Sequence, residues 1–251
     1  MKTTVKPRTL RRHVKHGRLG KPMVLKPDHN AIVEATTIFP SRVAVPDYSA
    51  MLFKEGKNNS KIGNRVIKGA WSGMPIYTLT LEERATCPTI CGSWHSCYGN
   101  HMQWPTRWKA GPALEKIIPG QVATLARKHP RGFVIRLHIL GDFYSRQYVQ
   151  LWDDLMFKHP ELHVYGYTRC EKHSPEGQRI AVMNATFPDR WRIRWSERGG
   201  EMGTVTIKDV TARGRIAEGI VCPAQTEGDE VCCSSCALCW STDEPIVFID
   251  H

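Results

Sequence analysis

The sequence predicts an α/β protein built on a mainly parallel sheet, with a basic N-terminal extension and a C-terminal cysteine-rich segment. Three observations predict it. From residue 76 onward, runs rich in β-branched and aromatic residues alternate with amphipathic helical segments. The formal charge of +11 lies wholly in residues 1–68, which hold 15 Lys/Arg against 4 Asp/Glu, whereas residues 69–251 hold 20 of each. All nine cysteines fall between Cys87 and Cys239. At 251 residues and 41% hydrophobic, the chain can bury one sizeable core and is too apolar to be disordered throughout.

Residues 1–30 read as a basic arm. Lys6, Arg8, Arg11, Arg12, Lys15 and Arg18 are candidate phosphate contacts, because a localised cationic segment binds polyanions by releasing counterions. The plainer alternative is a solvated tail. Residues 54–68 (KEGKNNSKIGNRVIK) form a second basic stretch, and their Asn and Gly content predicts turns rather than a packed element.

Strands are expected at residues 76–81 (IYTLTL), 133–140 (FVIRLHIL), 163–170 (HVYGYTRC), 191–197 (WRIRWSE), 204–208 and 218–222. A helix capped by Ser145 carries Tyr148, Leu151, Trp152, Leu155 and Met156 on one face and ends before Pro160. Ser174-Pro175-Glu176 starts another, followed by Ile180, Met183 and Phe187. Residues 112–129 read as helical with an interruption at Pro119-Gly120. The alternation fits an open parallel sheet or a full or partial (β/α) barrel. In each, chemistry collects at the carboxyl ends of the strands. Those ends carry a cysteine loop, then Gly141 and Asp142, then Arg169, Cys170 and His173, then Ser196, Glu197 and Arg198. Asp142 and Glu197 are the candidate catalytic carboxylates, because a carboxylate there is costly to bury unless paired. His138, inside an apolar strand, reads as a core residue.

The cysteines form two groups. Cys87-x3-Cys91-x5-Cys97, followed by Tyr98, lies in a loop after the first strand. Three thiolates can hold three corners of a metal cluster and leave one position open. A zinc site completed by His95, His101 or a distant cysteine is the alternative. The second group is Cys232-Cys233-x2-Cys236-x2-Cys239, with Cys222-Pro223 upstream. This is the ferredoxin-type pattern for a 4Fe–4S cluster with the remote Cys-Pro moved ahead of the triplet. Cys222, Cys233, Cys236 and Cys239 are the expected ligands and Cys232 the spare, with a four-cysteine zinc site as the alternative. Cys170 reads as a mouth-lining or core thiol. No apolar run long enough for a membrane span and no secretory leader are expected. The thiols therefore read as metal ligands or reactive groups rather than disulfides. The expected organisation is a basic extension over 1–68, a (β/α) core over 69–221 and a metal-binding segment over 222–251.

Asn59-Ser60-Lys61-Ile62-Gly63, the Thr86-Cys87-Pro88…Cys97-Tyr98 loop and Cys222-Pro223-Ala224-Gln225-Thr226…Cys233-x2-Cys236-x2-Cys239-Trp240 together resemble the phage "gene product 88" family, over roughly residues 50–250. That resemblance implies a bacteriophage protein in the host cytoplasm. A wider resemblance is to radical S-adenosylmethionine enzymes, which place a three-cysteine loop after the first strand of a (β/α) barrel. It implies a radical-SAM-like partial barrel. Cys87, Cys91 and Cys97 would hold a 4Fe–4S cluster that binds S-adenosylmethionine, and Gly141 would lie at the contact to its methionyl amine. The second cysteine gap, at five residues, is longer here than in those enzymes. Three functions follow. The first is an iron–sulfur enzyme acting on a nucleic acid or nucleotide. The second is a zinc-stabilised transglycosylase that exchanges deazaguanine bases into DNA, with Asp142 as nucleophile. The third is a non-enzymatic nucleic-acid-binding protein with structural zinc.

Overall fold

A computed structural model describes residues 23–59, 61–209, 211–226 and 231–250. The candidate phosphate contacts Lys6 to Arg18 lie outside the described residues. The chain starts with a short turn of helix, α1 (Asn30–Val33), and a two-residue strand, β1 (Val43–Ala44). Strands β2 (Lys54–Glu55) and β3 (Ile76–Thr78) precede the cysteine loop, and β4 (Arg107–Trp108) follows it. Then come α2 (Pro112–Lys128), β5 (Phe133–Leu137), α3 (Arg146–Lys158), β6 (Leu162–Thr168), α4 (Pro175–Thr186) and β7 (Trp191–Trp195). The C-terminal part holds β8 (Thr204–Ile207), β9 (Arg215–Ile216), β10 (Gly219–Val221), short helices α5 (Pro223–Thr226), α6 (Cys233–Cys236) and α7 (Leu238–Ser241), and β11 (Ile246–Ile249).

The main sheet has five strands in the order β2-β3-β5-β6-β7. β3, β5, β6 and β7 are parallel and β2 is an antiparallel edge. A second sheet, β8-β11-β10-β9, is parallel except at β9. A third pairs β1 with β4. The fold is thus mixed α/β with several sheets. Helix caps follow the sequence: the Ser145 and Ser174 hydroxyls accept from the Tyr148 and Gly177 amides.

The period of two along the strands divides the core. Phe133, Ile135, Leu137, Leu162, Val164, Trp191 and Ile193 face α2, α3 and α4 in the larger cluster. Val134 and Tyr165 face the other way, onto Ile62, Val66, Trp71 and Trp240. The C-terminal cysteine segment therefore covers the face of the sheet opposite the long helices.

Two expectations change. The interruption at Pro119-Gly120 does not occur, and α2 runs unbroken through Pro119. An internal proline costs about 3 kcal/mol. Leu114, Ile117, Ile118 and Val122, on both sides of it, are buried in one core, and each such side chain contributes roughly 1.5–3 kcal/mol. Residues 54–68 are also not merely turns. Lys54 and Glu55 pair with Thr78 and Tyr77, and Ile62 and Val66 are buried against Trp71. The sheets cross the compositional boundaries: β2 comes from the basic extension, and β11 joins β8 and β10 across position 222.

Candidate functional site

Parallel strands bring their carboxyl ends to one side of the sheet, and the loops leaving them enclose a cavity of about 250 Å³. The cysteine loop contributes Cys87, Cys91 and Ser93. The segment after β5 contributes His138, Gly141 and Asp142, and β6 with its end contributes Tyr167 and Arg169. Ser196 and Glu197 follow β7, and Thr204, Thr206 and Phe248 close the far wall from the second sheet. Bridges from Trp195 to Gly203 and from Arg198 to Thr204 hold that wall against the end of β7.

Asp142 ties the strand ends together. Its Oδ1 accepts from the Phe143 amide at 2.7 Å and the Thr168 hydroxyl at 2.7 Å, and its Oδ2 accepts from the Arg169 amide at 2.6 Å. Burial raises its pKa to about 6 against the lowering effect of these bonds. Both oxygens are thus already engaged with the protein. Gly141, at φ +85°, has no room for a side chain: a Cβ would lie 2.5 Å from the Thr86 hydroxyl and 2.7 Å from the Leu81 Cβ. Its smallness lets the β5 end pack on the start of the cysteine loop. Glu197 adopts a left-handed backbone at φ +54° and pairs with Arg169 at 3.2 Å. Residues persist in that conformation only where surroundings hold them. Here Arg169 does so from one side, and Gly92 abuts the Glu197 carboxylate from the other.

The cysteine loop is built around two buried arginines. Arg107 forms a two-pronged pair with Glu83, at 2.7 and 3.1 Å, and also donates to the Gly99, Met102 and Pro105 carbonyls. Arg84 donates to the Trp94 carbonyl at 2.9 Å, the Thr36 carbonyl at 3.2 Å and the Asn100 side chain at 2.6 Å. Cys87, Cys91 and Cys97 sit on this frame close enough for their charges to repel one another. Burial pushes Cys87 well above the ordinary thiol value and Cys97 up to about 11. Tyr98 is outside the cavity, with the Lys61 ammonium over its ring.

The second cysteine group lies on the sheet face opposite the long helices. Cys222, Cys233, Cys236 and Cys239 feel one another's charge. Burial raises Cys222 to about 12. Cys232 points elsewhere: it caps α6, and the Ser234 and Ser235 hydroxyls lie at its sulfur. The Asn59–Gly63 motif holds this segment, since the Lys61 and Ile62 carbonyls accept from the Cys233 and Ser234 amides at 2.8 and 2.9 Å. Arg194, fully buried, donates to the Cys239 and Glu244 carbonyls at 2.9 Å. Trp240 stacks on Trp71 at 5.2 Å. None of the nine cysteines is in a disulfide. Among the described residues no three His, Cys, Asp or Glu side chains are spaced to grip a single metal ion.

Among the cavity residues not expected from the sequence are His138, Tyr167, Thr204 and Thr206. His138 is buried and its Nε2 meets the Tyr148 hydroxyl at 2.9 Å, as a core histidine would, but it also lines the cavity and its Nδ1 has no partner. Tyr167 lines the cavity and places its hydroxyl 2.8 Å from the Cys239 sulfur, so it spans the distance between the two groups. Thr204 and Thr206 share a strand face by their spacing of two, a signal the sequence carried but without a partner to give it meaning.

Residues 51–217 match the sequence profile of the family described as gene product 88. The chain belongs to the gene product 88 family. The matched region contains the first cysteine group, Asp142 and Glu197, and it ends before Cys222. This gene product 88 chain is also similar to the Gene 88 protein of Mycobacterium phage L5, with 23% identity over 135 residues, 49% of this chain and 56% of that protein. The chain thus spans about half the length of the curated relative it matches. No solved structure matches it. Among the described residues no helix is long and apolar enough to cross a membrane.

Proposed function

We propose that this gene product 88 protein is an iron–sulfur enzyme with a radical-SAM-like partial barrel, acting on a nucleic acid or nucleotide. One observation carries the reading: Cys87 and Cys91 open into the same cavity as the polar ends of three parallel strands. The donor set fits a cluster. Cys87, Cys91 and Cys97 are three thiols on one loop and would be the residues to hold it, two of them lining a cavity with hydrogen-bonding walls. The second group has four thiols, which suits a structural or electron-transfer 4Fe–4S cluster or a zinc ion.

When bound, the first cluster would supply one-electron reduction of S-adenosylmethionine. The chain's own residues do the rest. Asp142 locks the ends of β5 and β6 so that Gly141 and Arg169 hold fixed positions. The Arg169–Glu197 pair places a cation and a carboxylate at the rim, where polar substrate groups can be oriented. His138 lines the cavity as a buried imidazole whose Nδ1 has no hydrogen-bond partner. Phe248 and Tyr167 supply apolar, aromatic walls to the cavity.

The test is anaerobic purification followed by metal analysis, visible spectroscopy and a reductive cleavage assay. Iron at about eight atoms per chain corresponds to two clusters, and about four to one cluster beside a zinc site. S-adenosylmethionine is then cleaved on reduction, and Cys91→Ala loses the N-terminal iron and the cleavage together. Colourless protein with zinc and no iron, or a loaded and reduced protein that leaves S-adenosylmethionine intact, overturns the reading.

A further inference from the structure

Residues paired across parallel strands point to the same face of a sheet. The register sets Thr78, Arg136, Tyr165 and Arg192 in one row, and Tyr167 and Arg194 in the next. Tyr165 packs on Cys239 and Trp240, so this is the face that the C-terminal cysteine segment covers. Three arginines therefore stand beneath that segment, and the two rows contain no Asp or Glu. A covered sheet face is ordinarily apolar, and charges there need an answer.

The three differ in what answers them. Arg192 pairs with the Asp243 carboxylate. Arg194 is fully buried and makes five bonds, all to main-chain carbonyls: Cys239 and Glu244 at 2.9 Å, Gly203 and Leu238 at 3.4 Å, and Thr242. These use every donor a guanidinium has, yet they leave its charge uncancelled. The Glu244 carboxylate is taken by Arg215. Arg136 donates to the Leu137 carbonyl and lies 4.5 Å from the Tyr167 ring centre and 5.5 Å from that of Tyr165. Among the described residues neither Arg136 nor Arg194 has a carboxylate partner. Thiols stand where carboxylates would be expected. Cys233 is within reach of the Arg136 charge and Cys239 within reach of that of Arg194. The Tyr167 ring under Arg136 ends at the Cys239 sulfur, 2.8 Å from its hydroxyl.

We propose that Arg136 and Arg194 are the counter-ions of an anionic metal centre at Cys222, Cys233, Cys236 and Cys239. Four thiolates around a zinc ion, or around an oxidised 4Fe–4S core, leave a net charge of about −2, which two arginines cancel. A buried charge without its partner is costly, so the arginines and the loaded centre stabilise one another. The sign is specific. Were the metal held by only one thiolate, the site would be cationic, the arginines would repel it, and removing one would tighten binding. The inference rests on the reading of the second cysteine group as a metal centre. It is independent of the first group and of S-adenosylmethionine.

The full-length chain carrying Cys91→Ala serves as the parent, so that only the second group is complete. It is stripped of metal and reloaded with zinc, or with ferrous iron and sulfide. The metal is then withdrawn by a competing chromogenic chelator at fixed pH. Arg136→Met keeps the stem that packs on the tyrosine rings and removes the charge, and it should weaken metal retention about tenfold. Arg136→Lys keeps the charge without the planar group and should retain metal nearly as the parent does. Arg194→Met would orphan five carbonyls, so Arg136 carries the test, and circular dichroism verifies that its variants fold. Arg136→Met that holds metal as tightly as the parent, or more tightly, overturns the counter-ion assignment and leaves the metal reading standing. Arg136→Lys that fails as Arg136→Met does also overturns it, since packing and not charge is then what matters. A parent that takes zinc but no iron, with the expected effect of Arg136→Met, upholds the assignment and overturns the iron–sulfur reading. A parent that takes neither overturns both.

Discussion

His138 and Tyr167 are the residues whose roles depend most on their neighbours. Burial, with Arg136 adding a smaller effect, lowers the pKa of His138 to about 3. The fold therefore holds the imidazole neutral while the unfolded chain takes up a proton near pH 6.5. Its cost is absent above pH 6.5 and grows as pH falls toward 3. At pH 4.5 it reaches about 2–3 kcal/mol. Asp142 runs the other way, because its raised pKa favours the fold as pH falls through 6. A substitution isolates the histidine: the unfolding free energy of His138→Gln, from urea titration, should fall less than the parent's between pH 7 and pH 4.5, by about that amount. Tyr167 offers a second prediction. Its hydroxyl at the Cys239 sulfur is the kind of contact that sets a cluster's potential. If the protein carries the proposed clusters, Tyr167→Phe should lower the potential of the one at Cys239, followed by spectroelectrochemistry, and leave the N-terminal one unchanged.

The cysteine loop is the element on which the site depends, and its frame is a buried ion pair. Glu83 and Arg107 are both fully buried, and Thr37 Oγ1 adds a bond to the same carboxylate at 2.7 Å. Removing one partner of a buried pair leaves an uncompensated charge and costs about 3–5 kcal/mol. Glu83→Ala should therefore lower stability by that amount in urea unfolding. It should also expose residues 87–106 to protease before the helices are cut. Little of this was legible in the sequence. The Cys87, Cys91 and Cys97 spacing announces a ligand loop, but Glu83 and Arg107 are ordinary charges until a fold buries them together. The capped helices were legible, because Ser145 and Ser174 act within their own turns. The break expected at Pro119 was a local expectation that long-range burial overrode.

At the scale of the molecule, the main sheet carries two unlike faces: three helices on one, and the C-terminal cysteine segment on the other. The second packs the thiols of Cys233 and Cys239 beside the stacked Trp71 and Trp240. If this segment binds metal as proposed, a chelator should red-shift tryptophan fluorescence as it loosens, while the far-ultraviolet signal of α2, α3 and α4 persists. A metal-bound segment takes part of its folding energy from its ligands, and the helical core takes its own from apolar burial. The sequence by itself determined the alternation of strands and helices, the helix caps, the two cysteine groups and the confinement of the charge to residues 1–68. Each of these is set by neighbours a few positions away. Only the tertiary structure decided that Cys91, Asp142 and Glu197 share a cavity, that Asp142 is tied at both oxygens, and that the Lys61 and Ile62 carbonyls hold the Cys233 segment. Those facts depend on which strand ends lie side by side, and that is settled by burial and pairing between segments far apart in the chain.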